Sequence, residues 1–138
     1  MNNQVGSAET LKEQIDHELA PGTWLVVSQD RINSFAACTE DWQFIYVDPE
    51  RAARSSLGGT VAHGFLTLSM LGAMCQETFS RLKQHAIGLD AVGLNYGIDK
   101  VRFLRPIRAG RRIRAHTKLL NVRKKSNWKI GNPCWRSS

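Results

Sequence analysis

A helical period organises the apolar positions up to about residue 82, and a two-residue period takes over after it. Leu11, Ile15 and Leu19 recur at helical spacing behind Thr10-Leu11-Lys12-Glu13, which has the form of a capping box. Pro21-Gly22 ends that segment, and Trp24 to Val27 is a short apolar strand candidate. Gln29 to Thr39 places Ile32, Phe35 and Ala36 on one helical face. The aromatic-rich stretch from Asp41 to Val47 is expected to be extended or looped. Asp48-Pro49-Glu50-Arg51 then starts a helix, with Asp48 at the N-cap and Pro49 at the first helical position. Ser55 to Gly59 is a loop. From Phe65 to about Leu82 the chain is apolar nearly all round for its first three turns, which predicts a helix enclosed on most sides.

Further on, Val101 and Phe103 alternate with Lys100, Arg102 and Leu104, and Pro106 and Ala109-Gly110 interrupt. Ile113, Ala115, Thr117 and Leu119 then share one face, and Arg112, Arg114, His116 and Lys118 the other, the pattern of a half-buried antiparallel sheet. An enclosed helix followed by long strands predicts an α+β architecture, a sheet wrapped around one central helix, in a single domain over residues 1–138.

Composition adds a soluble, globular class: 42% of the 138 residues are apolar and 22% charged. Charge is uneven. Residues 1–69 carry 4 Lys/Arg against 9 Asp/Glu, and residues 70–138 carry 15 against 3, so the second half stands at +12. That balance suits either an anionic partner or a solvated basic face. Three cysteines (Cys38, Cys75 and Cys134) show neither disulfide nor metal spacing, and Cys38 and Cys75 are expected to be buried thiols. No signal peptide is visible, and Gly64 to Cys75 is too short to span a bilayer, which together read as cytoplasmic with no membrane partner.

Three ordered motifs then resemble one family. Asp41-Trp42-Gln43-Phe44-Ile45-Tyr46-Val47-Asp48-Pro49-Glu50-Arg51-Ala52 and Val61-Ala62-His63-Gly64-Phe65 look like the signature of MaoC-like dehydratases, the hotdog-fold (R)-specific enoyl-CoA hydratases. Leu94 to Phe103 looks most like the branch that includes nodulation protein N, and the likeness runs from about residue 10 to residue 122. The resemblance implies a hotdog fold and a homodimer. It also implies reversible addition of water to a trans-2-enoyl thioester on CoA or an acyl carrier. CoA or carrier enters as part of the substrate, with no separate cofactor and no metal.

Such hydration needs a group to activate water at the β-carbon, a proton for the α-carbon, and donors for the enolate oxygen formed between. By resemblance Asp41 takes the carboxylate position and the Gly64 backbone N–H the oxyanion hole, where a helix N-terminus supplies unpaired donors. The family's His position holds Tyr46. An imidazole exchanges protons near neutrality, whereas a phenol with a reference pKa of about 10 is a poor acceptor. The expectation is therefore impaired hydratase activity. A second departure is Gly72, at a position where some members carry Ser. His63 is assigned to substrate binding, or to a structural hydrogen bond that locks its turn. Arg102, Arg105, Arg108, Arg111, Arg112 and Arg114 are candidates to meet CoA phosphates, with solvated strand-face charge as the alternative for most.

Two other functions suit the same residues: a non-catalytic acyl-CoA or acyl-carrier binding protein, and a hotdog acyl-CoA thioesterase with Asp41 as base. Nucleic acid is not expected as a partner, because no reading motif accompanies the basic half. The last sixteen residues, Arg123 to Ser138, show no alternation and are interrupted by Gly131 and Pro133, so the C-terminal strands of the fold are expected to be incomplete.

Overall fold

A computed structural model describes residues 11–86 and 95–122. Thr10, the first motif residues after Ala86 and the tail from Arg123 lie outside the described residues. So do Cys134 and the reading of the C-terminal strands.

Helix α1, Gln29–Thr39, forms where the periodicity places it. Ser28 caps it by accepting from the Arg31 N–H at 3.2 Å, and Glu40 ends it in the left-handed region at φ 59°. Its predicted face is the one buried: Ile32 and Ala36 are fully covered and Phe35 is half-buried. A short helix α2, Phe44–Val47, follows in place of the expected extended segment. Its bonds turn back on Gln43 and Phe44, with Asp48 N–H on the Phe44 carbonyl at 3.0 Å. Helix α3, Pro49–Ala53, starts with Asp48 at its N-cap, accepting from Arg51 N–H at 2.9 Å, as the motif predicts. The loop that follows turns at Gly58 and Gly59, both at positive φ.

The expected long helix is a rod in three pieces: α4 (Gly64–Ser69), α5 (Leu71–Met74) and α6 (Gln76–Ala86). Backbone bonds bridge both joints, from Met74 N–H to the Met70 carbonyl and from Phe79 N–H to the Cys75 carbonyl. Leu66, Met70, Met74, Cys75 and Thr78 are buried along one side, but Phe65, Leu71 and Phe79 are 67, 41 and 48% exposed. Among the described residues the rod is therefore covered along one side, the side that the described strand pairs reach.

Those pairs run antiparallel, except the Ile15–Leu119 bridge, which is parallel. Strand β1, Leu25–Val26, pairs with β2, Arg112–Ile113, in the register Leu25 to Ile113 and Val26 to Arg112. Pairing continues beyond them: the N–H groups of Gly22, Leu19 and Asp16 donate to the carbonyls of Ala115, Thr117 and Leu119 at 2.8 to 2.9 Å. This cuts short the expected N-terminal helix: Leu11 and Lys12 are helical, and the chain leaves the helix before Ile15. Leu11, Ile15 and Leu19 have helical spacing, but Asp16 turns at φ 67° and its backbone bonds go across to the sheet. On the other flank Ala62 N–H donates to the Ile107 carbonyl and Ala109 N–H to Thr60. The alternation over 112–119 holds: Ala115 is buried, Ile113, Thr117 and Leu119 are half-buried, and the four basic residues between them are exposed. Residues 95–106 are exposed and lie outside any ladder, so the strand read around Val101 and Phe103 is not formed there.

The core joins Val27, Ile32, Ala62, Leu66, Met70, Met74, Cys75 and Ala115. Cys75 is buried as expected, and Cys38 is not: it is exposed, on the outer face of α1. Among the described residues no helix is long and apolar enough to cross a membrane.

Candidate active site

The left-handed turn at Glu40 swings the chain off α1 and delivers Asp41, half-buried, to the mouth of α2. Gln43 steadies it, donating from Nε2 to Asp41 Oδ1 at 3.2 Å. Tyr46 sits in α2, and α2 is tied to the segment before the rod by the Val61 N–H on the Ile45 carbonyl at 2.9 Å. That tie brings His63, the residue preceding α4, against both. His63 is 3% exposed. Its Nε2 is 3.0 Å from the Asp41 carbonyl oxygen, and its ring stacks on Tyr46 with centroids 3.7 Å apart and planes 28° apart. Phe35 closes the other side of the imidazole at 5.0 Å. Nδ1 of His63 is buried with no hydrogen-bond partner among the described residues.

Electrostatics couples Tyr46 to Asp41. Burial of the phenol, and then the negative charge of Asp41, hold the Tyr46 pKa above its ordinary 10.0. At neutral pH Tyr46 is thus a neutral hydrogen-bond donor beside a carboxylate.

Gly64 opens α4 one residue from His63, and the Leu66 and Thr67 N–H groups turn back to the His63 carbonyl at 3.1 and 3.3 Å. It borders a cavity of about 380 Å³ shared with Thr67, Phe103 and Ile107. Phe103 closes over it: a methyl group at Gly64 would stand 2.7 Å from the Phe103 ring. Asp41, Tyr46 and His63 thus form one cluster, and Gly64 stands beside it facing its own cavity. Gly72 faces open space.

Three supports carry no chemistry of their own and were not legible in the sequence. Gln29 donates from Nε2 to the Tyr46 carbonyl at 2.7 Å, and Thr60 donates to the Gln29 side-chain oxygen. Phe35 packs on His63. The only sequence signal for Gln29 is its place in the first turn of α1. Among the described residues no three His, Cys, Asp or Glu side chains gather as a metal site.

This is a hotdog-type α+β arrangement with a carboxylate and a phenol clustered beside a helix start. Over residues 10–132 the chain matches the MaoC-like domain, and it belongs to that family. It is 45% identical to nodulation protein N of Rhizobium leguminosarum bv. viciae over 78% of its own length and 65% of that protein's. It is 35% identical to 3-hydroxyacyl-thioester dehydratase Z of Mycobacterium tuberculosis (strain ATCC 25618 / H37Rv), covering 84% of this chain and 73% of that one. Among solved structures, a monoamine oxidase regulatory protein from Archaeoglobus fulgidus superposes with a TM-score of 0.60 at 30% identity, over 75% of this chain and 64% of its own. The R-hydratase PhaJ1 from Pseudomonas aeruginosa shares the fold, with a TM-score of 0.54 at 20% identity over 78% of this chain and 61% of its own. The chain thus spans about two thirds of the length of these relatives.

Proposed function

We propose that the chain acts on trans-2-enoyl and 3-hydroxyacyl thioesters as an (R)-specific hydratase of reduced rate. The observation that carries the reading is the cluster itself: His63, the residue before Gly64, touches the Asp41 backbone and the Tyr46 ring, and Tyr46 lies in the field of Asp41. In this reading Asp41 takes a proton from water as its oxygen bonds to the β-carbon. Asp41 then returns that proton to the α-carbon, and the Gly64 N–H stabilises the enolate oxygen that forms between. Tyr46 donates a hydrogen bond that orients the water but does not share in its deprotonation, because its proton is held above the ordinary tyrosine range. His63 serves the site by fixing the Asp41 backbone and the Tyr46 ring, and through them the place where substrate sits. A homodimer and a cytoplasmic setting accompany the reading.

General acid–base assistance is typically worth about 10²–10⁴-fold, so a Tyr46→His variant is expected to hydrate crotonyl-CoA at least roughly 10²-fold faster than the parent. Loss of enoyl absorbance measures it, with chiral analysis of the 3-hydroxyacyl product. A parent as fast as the variant would show that Tyr46 is no handicap. The specific observation behind a second reading, acyl-thioester binding without turnover, is the same tyrosine. Tight acyl-CoA binding with no hydration by the parent selects it, and release of free CoA thiol selects thioester cleavage instead.

A further inference from the structure

Phe103 touches the candidate site more closely than its exposure suggests. A Cβ at Gly64 would stand 2.7, 2.8 and 2.9 Å from the Cδ2, Cγ and Cε2 atoms of its ring. Real Cβ atoms essentially never come so close, so the ring fills the space that only a glycine leaves. The Gly64 N–H sits on the same Cα, about 1.5 Å away along one bond. The residue assigned to meet the thioester oxygen is therefore covered on one side by an aromatic ring.

That ring is half-exposed and lightly held. Phe65 meets it edge-on, with centroids 5.7 Å apart and planes 73° apart. Residues 95–106 lie outside any ladder, and the chain is next fastened at Ile107, whose carbonyl accepts from the Ala62 N–H at 2.8 Å. Phe103 lies ahead of that tie and can turn without breaking it. The cavity below the ring measures about 380 Å³, and Ala62, Leu104, Pro106 and Ile107 line it alongside Arg102 and Arg105. The Thr67 hydroxyl on the same wall already donates to the Gly64 carbonyl at 2.7 Å. Apolar walls of this kind discriminate by shape, and one methylene more or less in such a pocket changes specificity by roughly 10- to 200-fold.

Resting on the hydratase reading above, we propose that Phe103 is a specificity-determining residue: its ring limits the bulk carried at the α-carbon, so that unbranched trans-2-enoyl thioesters are accepted and α-branched ones rejected. A thioester oxygen on the Gly64 N–H places the α-carbon one bond beyond the carbonyl carbon, within reach of the ring. An unbranched substrate needs the ring to turn only as far as the carbonyl demands. A methyl group on the α-carbon adds bulk at the same place, where the ring and the apolar walls close on it.

The test compares crotonyl-CoA with tigloyl-CoA, its α-methyl analogue, in the Tyr46→His background of the full chain. Loss of enoyl absorbance gives kcat/KM for each, and the ratio of the two is the readout. The intrinsic difference in reactivity between the substrates is the same for every variant and cancels when variants are compared. Phe103→Ala is expected to raise the relative use of tigloyl-CoA at least roughly 10-fold, and Phe103→Trp to lower it. Opposite shifts from a smaller and a larger side chain mark a steric limit, whereas a residue that only held the fold together would lose both substrates alike. Phe103→Leu is expected to move the ratio in the direction of alanine, and it carries the test should Phe103→Ala melt below the assay temperature. A ratio unchanged in the smaller variants, or moved the same way by alanine and tryptophan, overturns the proposal and leaves the hydratase reading standing. Hydration of neither thioester by Tyr46→His overturns the hydratase reading, and the proposal with it.

Discussion

Tyr46 carries the most information of any single side chain. Its place in the Asp-x4-Tyr motif was legible, because a phenol in an otherwise matching motif marks itself. Its stacking on His63 was not, since that contact joins residues 17 positions apart through the tie between Val61 and Ile45. Burial and the Asp41 charge raise its pKa, so ionisation is disfavoured in the fold relative to the unfolded chain. The folded state then binds more protons than the unfolded one above the ordinary tyrosine value of about 10, and stability falls as pH rises through that range; below it the contribution is fully present. Ultraviolet titration is expected to show a phenolate step above the ordinary tyrosine range, and Tyr46→Phe is expected to remove it. A late step that survives Tyr46→Phe would contradict the placement of Tyr46. Gly64 makes a second residue-scale case. An added methyl meets the Phe103 ring, a side chain that is 50% exposed and held edge-on by Phe65 alone among the ring contacts of the described residues. Gly64→Ala is therefore expected to cost only about 1 kcal/mol of stability. In the Tyr46→His background it is expected to lower hydration by crowding the cavity beside the helix start, since alanine keeps the backbone N–H. Melting temperature and rate, measured together, separate the two effects.

At the level of elements, what was legible followed local rules. Helix α1 needed only its cap and its apolar stripe, and α3 only Asp48 and Pro49; both lie where those signals put them. The N-terminal segment shows why others were not. Helical spacing of Leu11, Ile15 and Leu19 competes there with backbone partners on residues 115–119, about a hundred positions away, and no local pattern reveals such partners. The three-piece rod is a milder case, since its apolar surround was visible but what covers each side was not. These differences predict how damage is distributed. Ser28→Ala removes one side-chain cap and is expected to cost about 1 kcal/mol. Ile32→Ala empties a fully buried site between α1 and the core and is expected to cost about 2–5 kcal/mol. Urea unfolding of both variants measures the ratio. Comparable losses would mean that α1 is held by its own helix signals and not by its packing.

Across the whole molecule one short stretch joins the sheet to the rod. The Gly22 N–H donates to the Ala115 carbonyl at 2.8 Å, the Thr23 N–H donates to the Met74 carbonyl at 3.0 Å, and Thr78 reaches the Ala20 carbonyl from α6 at 3.2 Å. The sheet, the end of α5 and the start of α6 are thus fastened to one short stretch of chain. In the sequence Pro21-Gly22 reads as a helix stop; in the fold it is a crossing point, and glycine is there because nothing larger fits. A methyl group at Gly22 would stand 2.3 Å from the Met74 carbonyl oxygen and 3.4 Å from that of Ala115. Unlike the Phe103 ring over Gly64, these obstacles are backbone, and moving them means separating the rod from the sheet. Gly22→Ala is therefore expected to be the costlier of the two glycine substitutions, on the order of 3 kcal/mol or more, within the range for overpacking a filled interior. Thermal unfolding of the two variants side by side is the measurement. The predicted order is the parent, then Gly64→Ala close beneath it, then Gly22→Ala well below. A reversed order would mean that the rod and sheet are not joined at this crossing.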